Sequence, residues 1–200
     1  MIETLVGSSL AAAAGLNAWI PLLVLGLLSR FTDLVPLPAT WQWLSSDLAL
    51  WIVGALLVVE IVADKIPALD TVNDIIHTAI RPAAGGIVFG AGASAEALTL
   101  DDSGSWGTID WGPVITGVVI ALVVHGIKAT ARPVANIATG GVAAPVLSTI
   151  EDGVSVVVSV LAILLPVFAI LLVIALVVLG VRLIRRGRRR RRELRAAQAG

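Results

Sequence analysis

The chain has 200 residues, 58% hydrophobic and only 14% charged, with acids and bases in equal number and a mean hydropathy of +0.97. That composition excludes an ordinary water-soluble domain and points to an all-α integral membrane protein with several runs near the roughly 20 apolar residues that cross hydrocarbon. The absence of cysteine excludes disulfides, thiolate catalysis and Cys-ligated metals.

Five apolar runs predict about five transmembrane helices, over residues 5–28, 48–63, 83–100, 114–127 and 154–181. The first follows Met1-Ile2-Glu3 with no basic residue, so it is expected to stay as a span rather than to be cleaved as a signal peptide. Pro21 is expected to bend it, a turn or two after Gly15 and Asn17. Asn17 cannot face lipid unpaired, so it is expected to meet protein. Trp41, Trp43, Trp51, Trp106 and Trp111 cluster near the ends of apolar runs, as in interfacial belts.

Glu60 lies inside the second run, one turn before Asp64. An ionisable group at that depth costs on the order of 3 kcal/mol unless it faces a base or water inside the bundle. Lys65, Lys128 and Arg132 are the candidate partners, and such a pair can serve packing alone. After Pro67, the residues Asp70, Asp74, His77 and Arg81 fall at i, i+4, i+7 and i+11, one polar face of a short amphipathic helix. Val72, Ile75, Ile76, Ala79 and Ile80 form the other face, and Pro82 is expected to end the element. Asp70, Asp74 and His77 also have a spacing that can ligate a cation, although such spacing arises by chance on amphipathic helices.

Residues 83–100 are Gly-rich and either cross or dip into the membrane and return. The loop over 101–112 is polar and expected in water. In the fourth segment His125, Lys128 and Arg132 stand at i, i+3 and i+7 of one helix. The connector from Asn136 to Glu151 and Asp152 is broken by Gly140, Gly141 and Pro145. It reads as a re-entrant or surface-embedded hairpin, with the two acids capping the last helix through its N-terminal dipole. That last run of 28 residues would be roughly 42 Å long as one helix, so it must tilt, kink at Pro166 or begin outside the hydrocarbon. The order Lys, Arg-Pro, Gly-Gly occurs at Lys65, Arg81-Pro82 and Gly85-Gly86 and again at Lys128, Arg132-Pro133 and Gly140-Gly141, a weak internal two-fold repeat of the kind found in transporters.

Nine of the fourteen bases follow Val181, all arginine, whereas residues 1–180 hold five bases against thirteen acids. The chain thus divides into a transmembrane part, 1–181, and a basic tail, 182–200. An Arg run after a long apolar helix marks the cytoplasmic side and suits anionic lipid; without interleaved aromatics it is not expected to bind nucleic acid.

The motifs at Ala63 to Pro82, His125 to Arg132 and Glu151-Asp152 together resemble a bacterial family of polytopic membrane proteins catalogued as domain of unknown function 4126. The likeness covers nearly everything but the tail, and departs from the family at "NIATGG", residues 136–141. It implies a multi-pass protein of the bacterial cytoplasmic membrane and supplies no activity.

Three functions are open to these residues. The first is a transporter or channel for an ion or a small or lipid-linked anion, with Glu60, Asp64, Lys65, Asp70, Asp74, His77, Arg81, His125, Lys128, Arg132, Asn136, Glu151 and Asp152 lining a charged cavity. The second is a metal-assisted enzyme using Asp70, Asp74 and His77; no other cofactor is expected. The third is a scaffold whose tail docks on anionic lipid, with small residues over 11–15 and 85–92 favouring a homo-oligomer.

Overall fold

A computed structural model describes residues 1–65, 67–93, 111–139 and 143–198, the side chains of 67–72, 74, 93, 133–138, 143 and 188–198 excepted. All regular structure among them is helical: α1 (Ile2–Leu16), α2 (Trp19–Phe31), a 3₁₀ helix (Ala39–Ser45), α3 (Asp47–Ala63), α4 (Pro67–Ala93), α5 (Trp111–Thr139), α6 (Ala143–Leu164) and α7 (Pro166–Gln198). Helices long and apolar enough to span a membrane are three among the described residues: 111–132 of α5, 144–164 of α6 and 166–187 of α7. The 3₁₀ helix and α3, bent by 59°, make a fourth if counted as one. The molecule is a membrane protein by this measure, with three or four candidate spans among the described residues.

The first run is not one helix. It breaks at Asn17, whose backbone is extended (φ −141°, ψ 123°). Pro21 sits in the first turn of α2, where a missing N–H costs little. The halves, of 15 and 13 residues, form a helical hairpin. Ser155 of α6 donates to Ala13 O and Asp152 accepts from Asn17, so α1 runs antiparallel to α6. Leu25 of α2 comes back to the level of Val6 and Ile163, where all three line one cavity. The tip of this hairpin, Leu16 to Ala18, is therefore inside the protein, and Asn17 and Ala18 are fully buried.

Small residues make the interior possible. Residues 9–15 of α1 are buried throughout, and α4 and α5 approach backbone to backbone. A Cβ on Gly85 would stand 2.8 Å from Gly117 O, and one on Gly117 would stand 2.5 Å from the Phe89 Cβ. The small residues that suggested an oligomer are thus consumed within the chain.

Pro82 does not end its helix: α4 continues to Ala93, absorbing much of the 83–100 run. Stopping there would expose several backbone groups at once, whereas a proline removes one donor. Likewise α5 passes through Arg132-Pro133. The re-entrant connector over 136–152 is replaced by α6 from Ala143, with Pro145 in its first turn; Glu151 and Asp152 lie in the third turn and cap nothing. Of the three outcomes open to the last run, the break at Pro166 is observed. From there α7 turns back, bringing Gly180 beside Ile127 at the level where Glu151 of α6 meets Lys128. Residues 94–110, including the expected polar loop over 101–110 and Trp106, lie outside the described residues, as do Gly140 and Gly141.

Candidate functional site

On α4 the described members of the polar face turn inward. His77 and Arg81 are buried, while Ile75 and Ile76 on the opposite face are 69% and 53% exposed, the reverse of a helix in water. Arg81 Nη2 donates to Glu60 Oε1 at 3.0 Å, and His77 Nδ1 lies 3.3 Å from the same oxygen. Glu60 is 2% exposed, and its other oxygen, Oε2, has no hydrogen-bond partner among the described residues. Trp19, the first residue of α2, sets its ring edge-on to His77, centroids 6.3 Å apart.

Arg81 also fixes a tautomer. Its Nη1 is 2.9 Å from His125 Nδ1, and because a guanidinium only donates, Nδ1 must accept. His125 is then neutral with its proton on Nε2, which donates to Thr78 Oγ1 at 3.2 Å.

A second group adjoins the first. Asp64 closes α3 and takes Asn73 Nδ2 at 2.6 Å, Arg132 Nη2 at 3.3 Å and Lys128 Nζ at 4.0 Å. Glu151 Oε2 lies 2.9 Å from Lys128 Nζ and 3.1 Å from Arg132 Nη2. Lys128 Nζ also donates to Leu16 O at 2.9 Å, where the C-terminal carbonyls of α1 favour a cation. At the hairpin tip Asn17 works in both directions. Its Oδ1 accepts from Trp19 N and Ile20 N, at 3.0 and 3.1 Å, capping α2, and its Nδ2 donates to Asp152 Oδ1 at 2.9 Å.

Three bases (Arg81, Lys128, Arg132) and three acids (Glu60, Asp64, Glu151) from α3, α4, α5 and α6 therefore meet at the tip of the α1–α2 hairpin, with Asp152 held alongside. The bundle around them shows apolar side chains outward, such as Val58, Val59, Val119, Val123 and Phe168. The pairing differs from the partners the sequence offered Glu60: it meets Arg81 and His77, and Lys65 stands apart, exposed, its Nζ 3.4 Å from Ile61 O. That difference between Lys65 and the buried Lys128 leaves the expected repeat without a structural counterpart at its lysines. The Asp70, Asp74 and Asn136 side chains lie outside the described residues, so of the expected cation triad only His77 is described, and it faces Glu60. Among the described residues no group of three His, Cys, Asp or Glu is arranged to hold a metal.

Arg81 and Arg132 of the two Arg-Pro elements are thus brought into adjoining parts of one buried ion network. A cavity of about 120 Å³ touches it, meeting Lys128 and Glu151 and otherwise walled by apolar side chains of α1, α5, α6 and α7. A polar stripe of α6 went unread in the sequence: Ser148, Asp152, Ser155 and Ser159, at i, i+4, i+7 and i+11, with all three serines fully buried. Its helical spacing inside an apolar run was the available signal.

A model of the family described as Domain of unknown function (DUF4126) matches residues 4–186. Neither a curated protein nor a solved structure matches the chain.

Proposed function

We propose that this chain, which belongs to the DUF4126 family, is a membrane carrier in which a small anion exchanges with the carboxylates of the buried ion network. The observation that carries this reading is the placement of Arg81, Lys128 and Arg132, each at most 5% exposed, at the tip of a broken helical hairpin. Cations are costly at such depth, and in membrane proteins they mark solute paths. A helix interrupted inside the protein beside its charges is also a recurrent feature of carriers.

Glu151 is the acid best suited to yield. Its side chain is 17% exposed, against 1% and 2% for Glu60 and Asp64, and it shares one oxygen between Lys128 and Arg132. An incoming anion that takes its place keeps both bases compensated, whereas displacing Asp64 would also break the bond from Asn73. In this reading the protein resides in a bacterial cytoplasmic membrane, the C-terminus lies inside, and the Arg tail rests on anionic lipid.

Flux measurement tests the reading. Purified protein in liposomes, loaded in turn with phosphate, chloride, short carboxylates and an alkyl phosphate, is expected to release at least one of them down an imposed gradient. Release no faster than from protein-free liposomes for every anion refutes it. A second reading rests on the pairing itself: each of the three bases meets an acid within 3.3 Å, so the network also suits a packing lock in a non-catalytic scaffold. It predicts no flux, with loss of folding when any one partner is removed.

A further inference from the structure

The cavity at Lys128 has a polar end and an apolar body, and the network accounts only for the polar end. Its walls are Ala13 and Leu16 of α1, Val124 of α5, Val158 of α6, and Val173 and Val177 of α7. These side chains could have closed on one another. Packed interiors leave few voids larger than a water, and this one, at about 120 Å³, approaches the size at which an apolar cavity in a protein takes up a ring such as benzene.

The walls offer water almost nothing to bond. Lys128 Nζ is already directed to Leu16 O and Glu151, so a hydrocarbon is the better filling for the remainder. On α7, next to the wall residues Val173 and Val177, Ile174, Val178 and Leu179 are exposed and apolar and so face lipid in a membrane.

We infer that this cavity binds an amphiphilic anion, a single-chain carboxylate or phosphate ester whose head group replaces Glu151 on Lys128 and Arg132 while the carbons next to the head lie between α1, α5, α6 and α7 and the rest of the chain extends into lipid. The head position, not the net charge, favours an anion over a cation. Lys128 and Arg132 flank it, Asp64 and Glu151 compensate them, and of these two acids Glu151 is the more exposed and so the one a head group can displace. A cationic head would meet Lys128 and Arg132 at that position and be repelled. The inference rests on the carrier reading and narrows its substrate from small anions in general to those with an apolar chain.

The experiment is equilibrium binding of radiolabelled dodecanoate to the full-length protein in phosphatidylcholine nanodiscs, with binding to empty nanodiscs subtracted. Dodecanol and acetate serve as the chain without a charge and the charge without a chain. Saturable binding of dodecanoate, with neither control competing at equal concentration, is expected. Glu151→Gln removes the competing carboxylate and should tighten dodecanoate binding about tenfold, a gain that mere damage to the fold does not produce. Lys128→Gln should abolish binding, and Val177→Phe, which fills the cavity and leaves every charge in place, should weaken it about tenfold or more.

Binding of dodecanol equal to that of dodecanoate, weaker binding by Glu151→Gln, or full binding by Val177→Phe overturns the site. The two proposals fail separately. Saturable binding without flux of any anion leaves the site and sinks the carrier, whereas flux of acetate or phosphate with no dodecanoate binding leaves the carrier and sinks the site.

Discussion

Replacing Asn17 by alanine tests whether the hairpin tip is held as described. The substitution removes two bonds that cap α2, at 3.0 and 3.1 Å, and the 2.9 Å bond to Asp152. A lost cap costs about 1 kcal/mol, and an interhelical hydrogen bond within a membrane protein about 1 kcal/mol, because the dissociated helices find other partners. The expected loss is therefore about 2 kcal/mol. The exchanged pair Asn17→Asp with Asp152→Asn keeps a capping oxygen at 17 and an amide–carboxylate bond across the helices, so it should recover at least half of the loss. The assay is reversible denaturant unfolding in bicelles, joined to hydrogen exchange at the Trp19 and Ile20 amides, which should lose protection in Asn17→Ala and regain it in the exchanged pair. Stability of Asn17→Ala within about 0.5 kcal/mol of the parent, with those two amides unchanged, would refute the description of the tip.

Other substitutions probe the packing and the ion network. Gly117→Ala should destabilise by about 1–3 kcal/mol, because the new Cβ would lie 2.5 Å from the Phe89 Cβ, whereas Gly54→Ala in α3, with nothing within 4 Å, should be neutral or stabilise by about 0.5 kcal/mol; both are read by unfolding in bicelles. Glu60→Gln removes the carboxylate that the buried Arg81 guanidinium donates to at 3.0 Å and should cost about 3–5 kcal/mol, and adding Arg81→Gln should return part of that, giving a coupling energy of at least about 1 kcal/mol in a double-mutant cycle. Truncation after Gly187 should leave flux and folding intact while lowering the protein's preference for anionic over neutral lipid, measured as enrichment of phosphatidylglycerol among co-purified lipids.

Charge spacing was the reliable part of the sequence. The i, i+3, i+7 register of His125, Lys128 and Arg132, and the i, i+4 pair His77 and Arg81, each describe one helix face, and helices preserve that relation wherever they pack. The depth of Glu60 was also legible, because an acid within an apolar run must find a base. Which base it finds was not, since the partner is set by how α3 and α4 cross; Arg81, 21 residues away, meets it and Lys65, five residues away, does not.

Prolines account for most of the boundary errors. Pro21, Pro67, Pro145 and Pro166 fall in the first turns of α2, α4, α6 and α7, where the ring is tolerated and marks a start. Pro21 and Pro145 were read as a bend and a break, and Pro82 as an end. Pro82 and Pro133 lie inside α4 and α5, and nothing local separates them from helix-starting prolines. The hairpin over 2–31 was hidden for another reason: 5–28 is apolar enough to span, and only tertiary demand for Asn17, through Asp152 and the cap on α2, breaks it.

The central claim is that the buried bases handle a transported anion, and anion flux through Arg132→Gln tests it most directly. Proteoliposomes carrying the parent protein, Arg132→Gln and Lys65→Gln are compared at equal amounts of folded protein, each confirmed by circular dichroism. Flux lost in Arg132→Gln and retained in Lys65→Gln is the predicted result. Equal flux in all three would show that the anion path bypasses the network and would contradict the account.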